Sequence, residues 1–377
     1  MYKLYLTCPR GLEQVLFNET SNYINQKIKI DSGGITLRGT LEDIYRINYK
    51  SRVAMNLHVE LFSCKINNYN ELYKKVLDYN WTNILNHNHS FIIKTKINSK
   101  IFDNQIFCTM KCKDAIVDNI RKKTNNRPSI DKRKPDFYIY LFIKDKTLKI
   151  FLNSSGWPLF MRGYRSKIHK AALNESLAAG ILQLTNWNKQ DPIYDPFCGS
   201  GTFLIEAMMS TLNIPPRIVR DFYGFMNWKN YDSNLWLKVL SEENSKIKNN
   251  PIKLYGSDII NQNINLAIKS LEKLDLKNKI SFNTKNFIDV MPKEDKGLFL
   301  CNPPYGVRIG EIEKLKNLYR QIGDHLKNHF QGFESYIFTG NLELLKSIGL
   351  RTKRKFILKN GMIDCRLAYY PLKKGKY

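Results

Sequence analysis

Acidic side chains are scarce. The 377-residue chain has 34 Asp and Glu against 60 Lys and Arg, giving a formal net charge of +26 and a pI near 9.6. That imbalance makes a polyanion, either nucleic acid or an anionic membrane, the first partner to consider. The abundance of Lys, Asn and Ile also fits AT-rich coding, so composition alone leaves both origins open. Cysteines are few and unpaired in pattern: seven, odd in number and scattered, with one CxxxC at Cys108 and Cys112. No second pair completes a four-ligand zinc site, so no metal is expected and the thiols read as reduced. No window approaches the ~18 apolar residues that span a bilayer, and MYKLYLTCPRGLEQ has no apolar stretch behind a basic start. A secreted or membrane-spanning protein is therefore not expected, and a cytoplasmic one is. Internal repeats and long low-complexity tracts are absent, and the length suits two or three domains.

Charge divides unevenly. Up to Lys170 there are 30 basic and 14 acidic residues, and beyond it 30 and 20. The first 50 residues read as strand, helix, strand, helix, with Gly33-Gly34 breaking before ITLRG. Between Tyr69 and Leu152, ELYKKVLDYNW and CKDAIVDNIRKKTN have helical spacing, FIIKTKI alternates as a strand, and DFYIYLFIKDKTLKIFLN has a hairpin's form. Arg121 to Lys134 holds seven basic residues and one acidic. Such a run is either a solvated face or a grip on phosphates, through Lys122, Lys123, Arg127, Lys132, Arg133 and Lys134. SSGWPLFMRGYRSK marks a domain boundary. Beyond it, helices and short apolar strands alternate as in a doubly wound α/β domain, closed by a hairpin predicted around Asn360-Gly361.

Three strand tips carry chemistry. DPFCGSGTF lies where a buried strand ends and a helix begins, and Gly199 and Gly201 permit close ligand approach. The third glycine of a dinucleotide fingerprint would fall at Leu204, and no P-loop Gly-Lys follows. A carboxylate at Asp195 would repel a pyrophosphate but suits a cationic ligand such as S-adenosylmethionine. Asp258, at the next tip, is placed either to bind both ribose hydroxyls or to cap the helix near Asn261. Asn286 occupies a similar tip and is placed to meet an adenine. NPPY, Asn302 to Tyr305, follows the strand LFLC, and its prolines fix a rigid turn. Acceptor oxygens on Asn302 and Pro303 suit an exocyclic amine on a base, whose N–H bonds they would hold while Tyr305 stacks on the ring. His325 and His329 stand at i,i+4 without the Glu of HExxH, so a plain helix face is expected there.

DPFCGSGTFLIEA, GSDI and NPPYGVRIG together resemble class I S-adenosylmethionine methyltransferases acting on exocyclic amines of guanine or adenine. CPRGLE, NSSGWPLFMRGYR, AALNESLAAGIL and NGMIDCRLAYY are similar to bacterial THUMP-domain RNA methyltransferases, a family that includes the large-subunit rRNA guanine-N2 enzymes. The resemblance covers essentially the whole chain. It implies an α/β protein with a Rossmann-like, seven-stranded catalytic domain ending in an antiparallel hairpin, preceded by ferredoxin-like and THUMP α+β domains. The expected bounds are 1–50 for the ferredoxin-like segment, 51–155 for THUMP, 156–170 for a linker and 171–377 for the catalytic domain.

By motif match the resemblance assigns S-adenosylmethionine contacts to Asp195, Phe197, Gly199, Gly201 and Asp258, and the target amine to Asn302, Pro303 and Tyr305; Pro196, Ser200, Thr202 and Asn286 are expected at the cofactor beside them, and Pro304 in the catalytic turn. Arg162, Arg165 and Arg308 are expected at RNA phosphates. The implied reaction is methylation of a guanine N2 in structured RNA, 23S rRNA first. A tRNA guanine-N2 enzyme, an N6-adenine methyltransferase and an inactive RNA-binding assembly factor are the alternatives. Some relatives carry a second methyltransferase domain; this chain stops at Tyr377, so one target base per chain is expected.

Overall fold

Strict alternation in the front half builds one broad sheet. The computed structural model describes residues 1–165, 173–306 and 312–375. Its first half runs β1 (Tyr2–Thr7), α1 (Glu13–Ser21), β2 (Lys29–Asp31), β3 (Gly34–Gly39), α2 (Leu41–Lys50), β4 (Asn56–Lys65), α3 (Tyr69–Leu77), β5 (Ser90–Asn98), α4 (Gln105–Thr124), β6 (Ser129–Ile130), β7 (Phe137–Lys144) and β8 (Thr147–Asn153). The strands order as β2-β3-β1-β4-β8-β7-β5-β6. Strand β4 pairs with β1 on one side and β8 on the other, so the two expected front units share a single sheet.

Leu4 and Leu6 of β1 and Ile139, Leu141 and Ile143 of β7 are buried in a core that includes Leu16, Ile44, Leu72 and Ile116 of α1 to α4. Their alternating neighbours Tyr5, Tyr140 and Phe142 stay half-exposed on the opposite face. Local signals set the helix starts. Thr40 and Asp43 form a capping box on α2, and Asn68 caps α3. Helix α4 begins at Gln105, seven residues before the CKDAIVDN run suggested, because Asn104 caps it through the Phe107 N–H at 2.9 Å.

The second half runs α5 (Glu175–Leu184), β9 (Ile193–Asp195), α6 (Thr202–Thr211), α7 (Ser233–Asn244), β10 (Leu254–Asp258), α8 (Asn261–Lys273), β11 (Ser281–Thr284), β12 (Leu298–Cys301), α9 (Ile312–His329), β13 (Glu334–Thr339), α10 (Leu342–Lys346), β14 (Arg354–Asn360) and β15 (Ile363–Pro371). The sheet order is β11-β10-β9-β12-β13-β15-β14, with β9 to β13 parallel and the final hairpin antiparallel. Every residue of β9 and β12 is buried, as the short apolar runs IYD and LFLC require of strands covered on both faces. Asn360 pairs with Ile363, so the turn residues are Gly361 and Met362, one position later than the Asn-Gly signal placed them. Helix α7 carries no motif and had no counterpart in the sequence reading.

The chain on either side of the expected THUMP–linker boundary, in its described part, is not a free tether. Ser154 and Ser155 are fully buried, bonded to Asn48 side-chain atoms at 2.9 and 2.8 Å. Arg162 is 1% exposed. Its Nε donates to Glu206 Oε1 of α6 at 3.2 Å, and its Nη groups donate to the carbonyls of Leu159 (2.7 Å) and Arg52 (2.5 Å). Arg217, also fully buried, donates to the carbonyls of Asn48, Ser51 and Leu159. Arg52 reaches back to the carbonyls of Met209 (2.9 Å) and Ile214 (2.7 Å). Buried guanidiniums thus join the two halves.

Truncating one partner of a buried, hydrogen-bonded ion pair strands the other charge. Arg162→Met should therefore cost about 3–5 kcal/mol, measurable as a lowered urea midpoint, whereas Lys238→Met on the exposed Glu42–Glu242 pair should change it little.

Candidate functional site

Parallel strands leave their carboxyl ends along one edge, and the three motif-bearing tips come from neighbours: β10, β9 and β12 lie side by side. At ~4.8 Å per strand the outer two tips stand about 10 Å apart. From β9 the chain fills β10 and β11 on one side and then crosses to β12 on the other, so the crevice opens where strand order reverses.

The loop after β9 is laced to β10. Cys198 N donates to Ser257 O at 2.9 Å, Gly199 N to Asp258 Oδ2 at 3.0 Å, and Gly201 N to Cys198 O at 2.8 Å. Gly199 and Gly201 have φ of +54° and +78°, the left-handed region. A Cβ at Gly199 would meet nothing within 4 Å, so its backbone faces open space, whereas one at Gly201 would lie 2.7 Å from Phe282 Cζ. Pro196 is buried, Ser200 is half-buried, and Phe197 stacks on Phe287 with centroids 5.0 Å apart. Thr202 opens α6, and its hydroxyl accepts from Arg165.

Asp195 is 2% exposed and accepts from Phe197 N at 3.2 Å. Burial, with the charge of Asp258 adding to it, pushes its carboxyl well above the usual carboxylate range. No cationic side chain pairs with it among the described residues, so its ionised form awaits a positive charge. Asp258 does not cap α8, whose N-cap is Ile260; its Oδ1 accepts instead from Ile260 N at 2.8 Å and Asn263 Nδ2 at 3.2 Å. Asn286 starts a short 3-10 turn through Ile288 N at 3.3 Å and is half-buried at the β11 tip.

On the other side of β9, Asn302 Oδ1 is buried and has no hydrogen-bond partner among the described residues. Pro303 is buried, Pro304 exposed. The ring of Tyr305 is half-buried against Gly340, where a Cβ would come within 2.8 Å of it, and its hydroxyl lies 3.4 Å from Asn360 Nδ2.

The basic residues separate into two kinds. Lys122, Lys123, Arg127, Lys132, Arg133 and Lys134 are all exposed, around β6 at the sheet edge. Arg162 and Arg165 depart from expectation and are corrected: neither guanidinium is free to meet RNA. Arg162 is consumed by Glu206 and two carbonyls. Arg165 is paired with Glu175 at 3.2 Å and also holds Leu173 O and Thr202. Arg308 lies outside the described residues. His325 is buried with Nε2 2.9 Å from Val290 O, and among the described residues no His, Cys, Asp or Glu group could hold a metal ion. Sequence reasoning missed Arg165 as the brace of the loop helix, and Phe282 and Phe287 as its packing partners; no local motif marks them.

Three family models match the chain: an RlmL ferredoxin-like domain over residues 3–55, a THUMP domain over 67–153, and an RMKL-like methyltransferase domain over 162–369. The protein slr0064 of Synechocystis sp., assigned as an RNA methyltransferase, is 34% identical over 369 residues, covering 98% of this chain and 96% of the relative. Ribosomal RNA large subunit methyltransferase K/L of Legionella pneumophila is 33% identical over 370 residues, covering 97% of this chain and 52% of the relative. The chain thus spans about half the length of the K/L relatives. The crystal structure of SMU.472, assigned as a methyltransferase and complexed with S-adenosylhomocysteine, matches with a TM-score of 0.88 at 25% identity, over 100% of this chain and 99% of that one.

The two glycines make a test of the loop. Gly201→Ala combines positive φ with a clash and should lose about 1–3 kcal/mol from overpacking alone. Gly199→Ala carries only the backbone penalty of about 1–2 kcal/mol. Thermal midpoints of the two variants should fall in that order.

Proposed function

The chain belongs to the RMKL-like methyltransferase family, with ferredoxin-like and THUMP domains ahead of its catalytic domain, and on that premise we propose that it is an S-adenosylmethionine-dependent RNA methyltransferase acting on the N2 amine of a guanine in large-subunit rRNA. One observation carries the reading: Asn302 Oδ1, a buried acceptor with no hydrogen-bond partner among the described residues, stands at the strand tip next to the loop that holds Asp195, a buried carboxyl with no cationic partner among them. A buried acceptor without a donor is costly, and an amine N–H is the group that satisfies it.

The residues present fit the cofactor. Asp195 offers an anionic contact for its positive charge, the open backbone at Gly199 leaves it room, and Asp258 and Asn286 present polar groups at the next two tips. Pro196, Phe197, Ser200, Gly201 and Thr202 shape the loop around it. When bound, the cofactor supplies an electrophilic methyl group. Asn302 Oδ1 and the Pro303 carbonyl accept the two amine N–H bonds and aim the nitrogen lone pair. As the nitrogen gains positive charge, the same two oxygens stabilise it. Pro304 stiffens the turn, and Tyr305 packs against the target base. Support for RNA comes from the THUMP match, from the relatives' names and from the exposed cations around β6. Guanine N2 rests on the sequence resemblance, and the setting is cytoplasmic.

Labelled S-adenosylmethionine and total RNA from a strain lacking the protein should yield N2-methylguanosine in rRNA; label in DNA alone, or none, refutes the assignment. Asn302→Ala should lower kcat by about 10²–10³-fold, as loss of one preorganised polar contact does, while calorimetry finds cofactor affinity nearly unchanged.

Asp195 makes a pH test. Its raised carboxyl value in the fold means that the unliganded fold takes up a proton more readily than the unfolded chain. That contribution to stability is full below the unfolded value of about 3.9 and is lost as pH rises through the folded value. Cofactor binding needs the ionised form. Affinity should therefore rise with pH across the folded value, and Asp195→Asn should flatten the profile.

A further inference from the structure

A broad cavity lies away from the strand tips. It is a groove of about 710 Å³ on the open face of the front sheet, lined from β1 to β5, β7 and β8. Its floor is aromatic: Tyr5, Tyr140, Phe142 and Phe151 line it, and the buried His58 packs against Tyr140 and Phe151. His58 of β4 stacks on Tyr140 of β7 with centroids 4.9 Å apart and a 25° interplanar angle, and on Tyr5 of β1 at 6.4 Å. Phe151 of β8 lies 6.1 Å from Tyr5 and 6.3 Å from Tyr140. Burial, with Lys94 adding, lowers His58 to about 3, so the floor is uncharged at neutral pH. Tyr5, Tyr140 and Phe142 remain half-exposed.

The walls are basic: Lys3, Arg10, Lys29, Lys96, Lys144 and Lys149, against two acids. Those acids are engaged, Glu60 with Lys3 at 2.8 Å and Asp31 with Lys29 at 3.5 Å. Arg10, Lys96, Lys144 and Lys149 have no ionic partner among the described residues. From β1 to β5 is four strand steps, about 19 Å. Uncovered π-faces between unpaired cations are the means by which proteins hold single-stranded nucleic acid: rings stack on bases while the cations follow the backbone.

The groove also leads toward the candidate active site. Arg10 sits at its end, and the next residue, Gly11, abuts the β14 backbone so closely that a Cβ would lie 2.2 Å from Ile357 O. Three residues further along β14, about 10 Å at strand rise, Asn360 meets Tyr305.

We infer that the open face of the front sheet is a stacking platform for unpaired nucleotides of the substrate RNA, with Tyr5, Tyr140 and Phe142 under the bases and Arg10, Lys96, Lys144 and Lys149 along the phosphates. This rests on the proposed RNA substrate, and it adds a contact surface distinct from the cations around β6.

Fluorescence anisotropy on the full chain, with one labelled single-stranded RNA and a duplex of equal length, tests it. Wild type should prefer the single strand. Tyr140→Leu should weaken single-strand binding about ten-fold, within the range of one stacked base, while Tyr140→Phe stays near wild type. Lys96→Gln/Lys149→Gln should reduce the salt slope of log K by about 1.4, at about 0.7 per phosphate contact. The lysine pair is on the surface and keeps the test open if Tyr140→Leu fails to fold. If wild type binds and methylates RNA while both variants bind with unchanged affinity and slope, the platform is wrong and the proposed function stands. Equal weakening of duplex and single strand likewise removes the stacking role. If wild type transfers no methyl group to RNA, the proposed function fails, whereas a selective loss of single-strand binding in the variants still supports the platform.

Discussion

The ion pair between Arg162 and Glu206 is the contact on which the arrangement of this molecule depends. Glu206 belongs to α6, the helix whose first turn forms the loop under the candidate cofactor site. Thr202, Glu206 and Met209 lie at i, i+4 and i+7 on one face of that helix. Arg165 holds the first, Arg162 the second and Arg52 the carbonyl of the third. Two of these arginines come from the segment joining the halves and one from the front half itself. The helix is therefore clamped along one stripe from its first residue onward. Isolated charges at such depth would be prohibitive; here each guanidinium is divided among carbonyls that would otherwise be orphaned in the same interface.

Across β9 the crevice has two chemical characters. At β9 and on its β10 side stand two carboxyl groups, Asp195 buried and Asp258 bound to the backbone of the loop. On the β12 side stands a neutral acceptor held by a proline turn. Adjacent parallel strands separate these functions by a few ångströms without either side having to move. The rings of Phe197 and Phe287 stack beside the glycine loop, and the contact of Asn360 Nδ2 with the Tyr305 hydroxyl ties the proline turn to the final hairpin.

Much of this was legible in the residues. IYD, KLYGSDI and LFLC announce strands because each sets apolar residues before a polar tip at Asp195, Asp258 or Asn302, and the glycines after β9 sit where positive φ is needed. The alternating order of strands and helices was enough to expect the doubly wound sheet. What stayed hidden has a common cause. Arg52, Arg162 and Arg217 act largely on backbone carbonyls and Arg165 on one carbonyl beside Glu175 and Thr202, and a carbonyl has no sequence signature. A basic residue near a boundary is thus readable equally as a phosphate contact or as a buried brace, and for Arg162 and Arg165 the brace is what the fold shows. The open face of the front sheet escaped for a different reason: Tyr5, His58, Tyr140 and Phe151 are dispersed over nearly 150 positions and meet only once β1, β4, β7 and β8 are ordered side by side.

Strand β4 belongs to both parts of the front sheet, and this bears on where the chain can be divided. Cutting between the two parts would leave whichever fragment kept β4 with a raw edge of unpaired amides and carbonyls, and leave the other short of a central strand. Exposed edges of that kind recruit other chains. Fragments cut there should aggregate, and recombination between relatives should exchange residues up to Asn153 as one block.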